Sequence, residues 1–260
     1  MSSVSRASLE SVVDATHSEQ LSVADAASIL AASRAIETTP QLQSALADSV
    51  ADADARAGLA ERAFASLAPG PRAVVANAAR ARWSDSADIL DALEVVGIQQ
   101  AARASGSEGI GEELRQFADA VAANPELELT LNDRLAPVDG KAALVQRLLQ
   151  GKASEATLVI AEHLVRSPRG RRVRTLLSRA QTAVANASGE ALATVATAQE
   201  LPATQLERLT DGLQKRYGGR LRVTQIIDPS IIGGLRITVG DDVIDGTLRT
   251  KYNDLRLQLG

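Results

Sequence analysis

The chain repeats itself. Thr39-Pro40-Gln41-Leu42 returns as Asn124-Pro125-Glu126-Leu127, and the offset that carries Pro40 onto Pro125 holds on both sides without a gap. At that offset Leu46 falls on Leu131, Asp48 on Asp133, Leu59 on Leu144 and Arg62 on Arg147. Phe64 falls on Leu149 and Val74-Val75-Ala76 on Val159-Ile160-Ala161; upstream, Val13 falls on Ile98 and Ile36 on Val121. A spacing that preserves breaker prolines together with the apolar positions between them describes one folding unit written twice. The expected organisation is a helical bundle over 1–85, a second copy over 86–187, and a different domain over 188–260. The join between copies is expected inside a long helix over Ile89–Ala104, which would couple them rigidly.

Within each copy the apolar spacing is helical. Ala26, Ile29, Leu30, Ser33 and Ile36 lie along one stripe, and Ser22-Val23-Ala24-Asp25 reads as a capping box with aspartate in the usual glutamate place. Thr39-Pro40 ends one helix and starts the next. A further helix is expected over Asp52–Leu67 with Leu59, Ala63, Phe64 and Leu67 inward, and Pro69-Gly70-Pro71 reads as a loop. Val74, Val75 and Ala78 open a helix that should stop near Arg82-Trp83-Ser84.

After Ser188-Gly189 the period changes. Ala191, Ala193, Val195 and Thr197 alternate with Leu192, Thr194, Ala196 and Ala198, a short strand. Pro202 opens a helix with Leu206, Leu209, Leu213 and Tyr217 on its face, ended by Gly218-Gly219. Ile226 to Gly246 then reads IIDPSIIGGLRITVGDDVIDG. Val223, Ile226 and Ile227 lead in, and Asp228-Pro229-Ser230 changes direction because proline fixes φ. Gly233-Gly234 supplies two positions free of a Cβ. Leu235, Ile237 and Val239 alternate with Arg236 and Thr238, so the stretch reads as two strands joined by a turn-rich corner. Gly240-Asp241-Asp242 is a second turn, and Asp245-Gly246 hands the chain to a last helix, with Thr247 as N-cap and Leu248, Tyr252, Leu255 and Leu259 on its face. The fold class is therefore mainly α: two tandem helical bundles followed by a small α+β (βαββα) domain.

Composition narrows function. The chain has 28 Lys+Arg against 32 Asp+Glu, a net charge of −4, which argues against a dedicated nucleic-acid binder. There is no cysteine, so disulfides and thiolate metal sites are excluded. The opening MSSVSRASLE is too polar for a signal peptide, and no run approaches the ~18 apolar residues of a membrane span. Aromatic residues make up 2% against 45% hydrophobic, so alanine and leucine carry the packing, a poor basis for a small-molecule pocket. His17 and His163 do not match across the repeat and read as solvent or helix-face histidines. No nucleophile elbow and no GxxxxGK[ST] motif occurs. Gly233-Gly234 precedes a strand and cannot present a helix N-terminus to a phosphate. The expectation is a protein without catalytic, cofactor or metal residues.

The stretch around Asp228, Pro229, Gly233, Gly234, Gly240, Asp245 and Gly246 resembles the C-terminal signature of the delta subunit of F-type ATP synthases, relatives of the mitochondrial oligomycin-sensitivity-conferring subunit. Arg169-Gly170-Arg171-Arg172 stands where that family has its own arginine-rich helix start. The resemblance covers about 105–260 directly and 1–104 only through the repeat. It departs from the family in carrying two bundles where one is usual, and in lacking the aromatic expected near Ser5–Leu9. What it implies is a non-catalytic stator adaptor on the cytoplasmic face of the bacterial plasma membrane, attached only through the complex. Its partners would be the N-terminal helix of the alpha subunit and the C-terminal helix of the b subunit, with no nucleic acid and no small-molecule ligand.

In the family the alpha helix lies in a groove between the first and fifth helices of the bundle. Carried onto this chain, that gives one groove between helices near 4–16 and 70–82 and another between helices near 89–103 and 154–166. Contiguity with the signature favours the second, with Val95, Ile98, Val159, Ile160 and Leu164 as contacts. Leu255, Leu257 and Leu259 are the candidates for the b subunit. Arg166, Arg169, Arg171, Arg172, Arg174 and Arg179 read as a solvated helix face or as a contact for an acidic partner helix. Two other classes stay open on the residues alone, a free-standing helical adaptor sharing only the signature and a nucleic-acid binder using the C-terminal domain.

Overall fold

The computed structural model describes residues 1–17, 20–106, 109–187, 190–217, 220–228, 231, 233–239 and 242–246. The chain forms two compact units, Met1–Ala187 and Ser188–Gly260.

The first unit is helical throughout. Its elements are α1 (Ser3–His17), α2 (Val23–Glu37), α3 (Pro40–Leu46), α4 (Ala53–Ala63), α5 (Pro69–Arg80), α6 (Asp88–Ala104), α7 (Ile110–Ala123), α8 (Pro125–Asn132), α9 (Val138–Leu149), α10 (Glu155–Arg166) and α11 (Val173–Ala187). The repeat reappears in the boundaries: the offset between the starts of α3 and α8 also separates the starts of α1 and α6, and of α4 and α9. Moved back by the same offset, α11 falls on α6 itself. One helix thus serves twice. α6 packs on α1 and α2 as α11 packs on α6 and α7.

The apolar core follows this plan. One cluster gathers Ile29, Ile36, Leu46, Val75 and Trp83 with Ile89, Leu93 and Val96 of α6. The other gathers Leu114, Val121, Leu131, Ile160 and Leu176 with Ile98, Ala101 and Ala102 of the same helix. The capping box at Ser22 is formed, with Ser22 Oγ accepting from Asp25 N at 3.1 Å and Asp25 Oδ2 from Ser22 N at 3.0 Å.

Two details of the first bundle differ from the sequence expectation. Pro69-Gly70-Pro71 is no loop but the first turn of α5, where proline's missing N–H has no helical partner to lose. α4 stops at Ala63, and its inward face is Arg56, Ala57 and Ala60, followed by Phe64 at the cap; Leu59 is half-buried and Ala63 exposed. The buried Arg56 satisfies the carbonyls of ending segments. Nη1 donates to Asp48 O at 2.6 Å and Ala51 O at 2.8 Å, Nε to Ala79 O at 2.8 Å, and Nη2 to Arg80 O at 2.8 Å. At the matching position of the second bundle stands the buried Lys141, which donates from Nζ to Asp133 O at 3.0 Å. Duplication has kept a buried cation doing the same work in both copies.

The second unit is β1 (Glu190–Thr197), α12 (Ala203–Tyr217), β2 (Arg220–Ile227), β3 (Leu235–Val239) and β4 (Asp242–Asp245), in a sheet of order β2-β1-β3-β4. β1 pairs parallel to β2 and antiparallel to β3, and β3 and β4 are antiparallel. Ala193, Val195, Ile237, Val239 and Leu213 of α12 form its core. β2 and β3 follow one another across the expected corner but do not pair with each other, because β1 lies between them. Thr197, at the end of β1, pairs with both Ile227 and Leu235, and its carbonyl accepts from Asp228 N at 2.8 Å. The corner therefore wraps the end of β1. A fourth strand replaces part of the expected second turn, since Asp242 already pairs with Val239. The expected last helix, with Thr247, Leu248, Tyr252, Leu255, Leu257 and Leu259, lies outside the described residues.

Candidate functional site

The second groove predicted from the sequence is the one between α6 and α10, and it is not empty. α2 of the first bundle packs against both helices. The two sides of α2 divide between the two cores. Ile29, Ala32 and Ile36 belong to the first cluster. Ala26 and Leu30 belong to the second, with Val23 packed alongside. Leu30 and Arg34 face Val159 and His163 across a crevice of about 80 Å³. At Gly97 of α6 a Cβ would stand 2.5 Å from Leu30 Cδ2 and 2.7 Å from its Cγ. A glycine in the middle of a helix costs helix stability; here it admits α2.

Charge closes the seat at its far end. Glu94 of α6 is buried, and its carboxylate takes Arg171 Nη1 on Oε1 at 3.0 Å and Arg171 Nη2 on Oε2 at 2.8 Å, with Arg169 Nη2 also on Oε2. Asp91 accepts Arg169 Nη2 at 3.1 Å and Arg179 Nη2 at 3.3 Å. His163 of α10, 1% exposed, stands between Arg34 and Glu94. A guanidinium can only donate, so His163 Nδ1 accepts from Arg34 Nη1 at 2.9 Å and the ring proton sits on Nε2. Nε2 faces Glu94 Oε2 at 3.5 Å, an electrostatic contact rather than a formed hydrogen bond. Ser167 donates from Oγ to Glu37 Oε2 at the end of α2.

Burial by itself would raise the Glu94 carboxyl, but the facing His163 and the Arg169 and Arg171 guanidiniums reverse this and hold it at about 2. Burial depresses His163 below its ordinary value, against the pull of Glu94, so the ring is neutral. The cluster is an ionised carboxylate with two arginines beside a neutral histidine. It holds helices together and contains no nucleophile set against a base.

This changes the reading of several residues. His163 is no solvent or helix-face histidine; it is buried and links α2 to α6. Arg169 and Arg171 belong to no solvated face, and their acidic partner helix is α6 of the same chain. Nor do they start a helix. Arg169 and Gly170 form a left-handed turn, φ 46° and 74°, between α10 and α11. Among the groove candidates, Ile98, Ile160 and Leu164 are buried in the second core, and Val95 and Val159 are half-buried against it. Leu255, Leu257 and Leu259 lie outside the described residues.

The signature positions sit around the sheet. Asp228 closes β2, Gly233 and Gly234 precede β3 with Gly234 at φ 82°, and Asp245 and Gly246 end β4. Gly246 N donates to Leu235 O at 2.9 Å. Pro229 and Gly240 lie outside the described residues. Ile226, Ile227 and Val243, on the outer strands β2 and β4, are exposed.

A family model described as ATP synthase delta (OSCP) subunit matches residues 98–259. The chain belongs to this family. A relative named ATP synthase subunit delta from Leifsonia xyli subsp. xyli is 43% identical over 238 residues, 91% of this chain and 90% of its own length. Proteins of the same name from Kineococcus radiotolerans and Streptomyces avermitilis are 36% and 32% identical, covering 89% and 98% of this chain and 86% and 94% of their own lengths. The model match begins at Ile98, inside α6, so it spans the second bundle and the sheet unit. The relatives extend through the first bundle as well, which makes the duplicated form their shared plan.

Residues missed in the sequence are Arg34, Glu37 and Gly97, which seat α2, and Asp91 and Glu94, which hold the turn between α10 and α11 to α6. A signal for two of them was present. Glu94 and Gly97 interrupt the otherwise apolar Leu93–Ile98 stretch of a long helix, which points to a buried charge and a close helix approach.

Proposed function

We propose that this chain is the peripheral-stalk adaptor of an F-type ATP synthase, tying the catalytic head to the stalk so that the head resists rotary torque during proton-driven ATP synthesis. Family membership across both bundles and the sheet unit is the observation that carries the reading. On it, the helical unit binds the head through the alpha subunit's N-terminal helix, and the sheet unit binds the C-terminal helix of the b subunit. The chain itself is non-catalytic and sits at the cytoplasmic face of the plasma membrane only through the complex.

The physics of the helical unit suits such a part. Two bundles share one helix, and hydrogen bonds join Arg34 and Glu37 of α2 to His163 and Ser167 of the second bundle, so shear between them must break polar and apolar contacts together. Such a unit transmits load instead of bending. The extra copy is read as a stiffener or lengthener of the connection between stalk and head. The exposed Ile226, Ile227 and Val243 support the sheet unit as a place for an apolar helix face.

The test is affinity isolation of the full chain from detergent-solubilised membranes at moderate and high salt. Recovery of alpha and b together, retained at high salt, is the expected result. A folded chain that brings down neither subunit would remove the reading and leave a free-standing adaptor.

A further inference from the structure

Duplication gives each surface position a counterpart that folds in the same way, and one corner of the second bundle departs from its counterpart in a single direction. Leu129 on α8, Arg134 and Leu135 on the loop after it, and Val138 at the start of α9 are all exposed, Leu129 by 71% and Leu135 by 95%. Arg172, just before α11, is exposed as well. At the repeat offset the first copy has Ser44, Ser49, Val50, Ala53 and Ala87. Val50 keeps a branched apolar side chain; the other four positions are serine or alanine.

The local structure does not ask for the larger side chains. Asp133 Oδ1 accepts from Leu135 N at 2.8 Å, as Asp48 Oδ1 accepts from Val50 N at 2.9 Å. Lys141 holds the Asp133 carbonyl as Arg56 holds that of Asp48. The same loop thus forms in the first copy with serine and alanine around it. A leucine left mostly in water adds little to folding. Single exposed leucines are ordinary, but apolar side chains gathered at one concavity mark an interaction site. Leu129 and Val138 line a crevice of about 870 Å³ together with Glu128, Arg134 and the turn 168–172.

The charges of the crevice select the occupant. Arg169 and Arg171 are engaged by Asp91 and Glu94, Lys141 by the loop carbonyl, Asp133 by the Leu135 amide and Glu37 by Ser167. Arg134 meets Gly170 O at 3.5 Å, the edge of hydrogen-bond range. The Arg172 guanidinium has no partner among the described residues. Two uncommitted cations beside an apolar wall, against the single uncommitted carboxylate of Glu128, suit carboxylates set next to aliphatic side chains. We propose that Leu129, Arg134, Leu135, Val138 and Arg172 form a docking surface for an acidic amphipathic segment of a partner protein. Its aliphatic side chains enter the crevice, and its carboxylates meet Arg134 and Arg172 at the rim. A concave site suits a peptide segment better than a flat bilayer, and Glu37, Glu128 and Asp133 in its wall oppose a phosphodiester backbone. The surface is built by α8, α9 and the α10–α11 turn, and is distinct from the groove between α6 and α10 that α2 fills. The inference goes beyond the adaptor reading and does not depend on it.

The experiment places the photo-cross-linker p-benzoylphenylalanine at Leu129 in the full chain, made in its native cells in place of the natural copy. Cells are illuminated and the cross-linked peptides are sequenced by mass spectrometry. The expected product joins position 129 to an aliphatic residue of another protein, with Asp or Glu within one helical turn of it. Arg134→Ser with Arg172→Ala installs the first copy's residues at two exposed positions, so urea unfolding should be unchanged while the cross-link yield falls roughly tenfold. The same probe at Ser44, the counterpart of Leu129, should give no such product. Absence of a protein cross-link from position 129, equal yields from positions 44 and 129, or a yield indifferent to the double substitution would overturn the proposal. So would a cross-link to a segment without carboxylates, to a second copy of this chain, to nucleic acid or to lipid. Recovery of alpha and b is read separately, so the surface can fail while the adaptor reading stands, and the reverse.

Discussion

Glu94 is the residue on which the helical unit turns. Its charge is stabilised by Arg169 and Arg171, and it stands beside a neutral His163 that accepts from Arg34 of another helix. Glu94→Gln keeps the volume and removes the charge, leaving two guanidiniums facing an uncharged amide. Loss of one member of a buried pair is strongly destabilising, so urea unfolding should show a loss of about 3 kcal/mol. The same groups set the acid limb of stability. Both folded-state values lie below the ordinary ones, 6.5 for His163 and 4.5 for Glu94, so the unfolded chain takes up these protons first. Stability should therefore fall as pH drops below 6.5, and further between 4.5 and about 2. His163→Gln should remove the upper part of that fall, and an unchanged pH profile would show that the histidine is not buried neutral. At Gly97 an added Cβ meets the branch point of a fully buried Leu30. Gly97→Ala should cost about 1–3 kcal/mol despite its better helix propensity.

Among the elements, α2 was legible on one side only. Its capping box, boundaries and inward stripe could all be read, because these are local properties of spacing and caps. That its other side is also covered could not be read, because Val23, Ala26 and Leu30 look like an ordinary widening of an apolar stripe. Comparison with α7 exposes the difference, since the aligned Arg115 marks the wet version of the same face. Leu30→Arg should thus destabilise the helical unit by about 3 kcal/mol or more, through a buried unpaired charge. The reverse change, Arg115→Leu, should leave stability within about 0.5 kcal/mol because the site is exposed. Equal effects of the two substitutions in thermal or urea unfolding would contradict the account of α2. The sheet shows the complementary lesson. The alternation in β1 and β3 gave the strands away, but the insertion of β1 between β2 and β3 is a long-range pairing that period-two patterning does not encode.

Taken as a whole, the molecule has a helical unit and a sheet unit, each with its own core. The duplication was plain in the sequence because breaker prolines and apolar positions recur at one spacing. The sharing of α6 was foreshadowed by that spacing, yet the seat between copies depends on which faces meet, and no periodicity reports that. Family membership supplies what the residues alone leave open, since nothing in the ion-pair cluster or the crevice performs chemistry on a substrate. The account of the chain as a torque-bearing connector is tested most directly by add-back. Membranes carrying ATP synthase stripped of this subunit should leak protons through the complex and make little ATP under an imposed proton gradient. Adding the purified full chain should restore gradient-driven ATP synthesis, with restoration impaired when residues 1–85 are removed. Binding of the folded full chain with no recovery of synthesis would contradict the account.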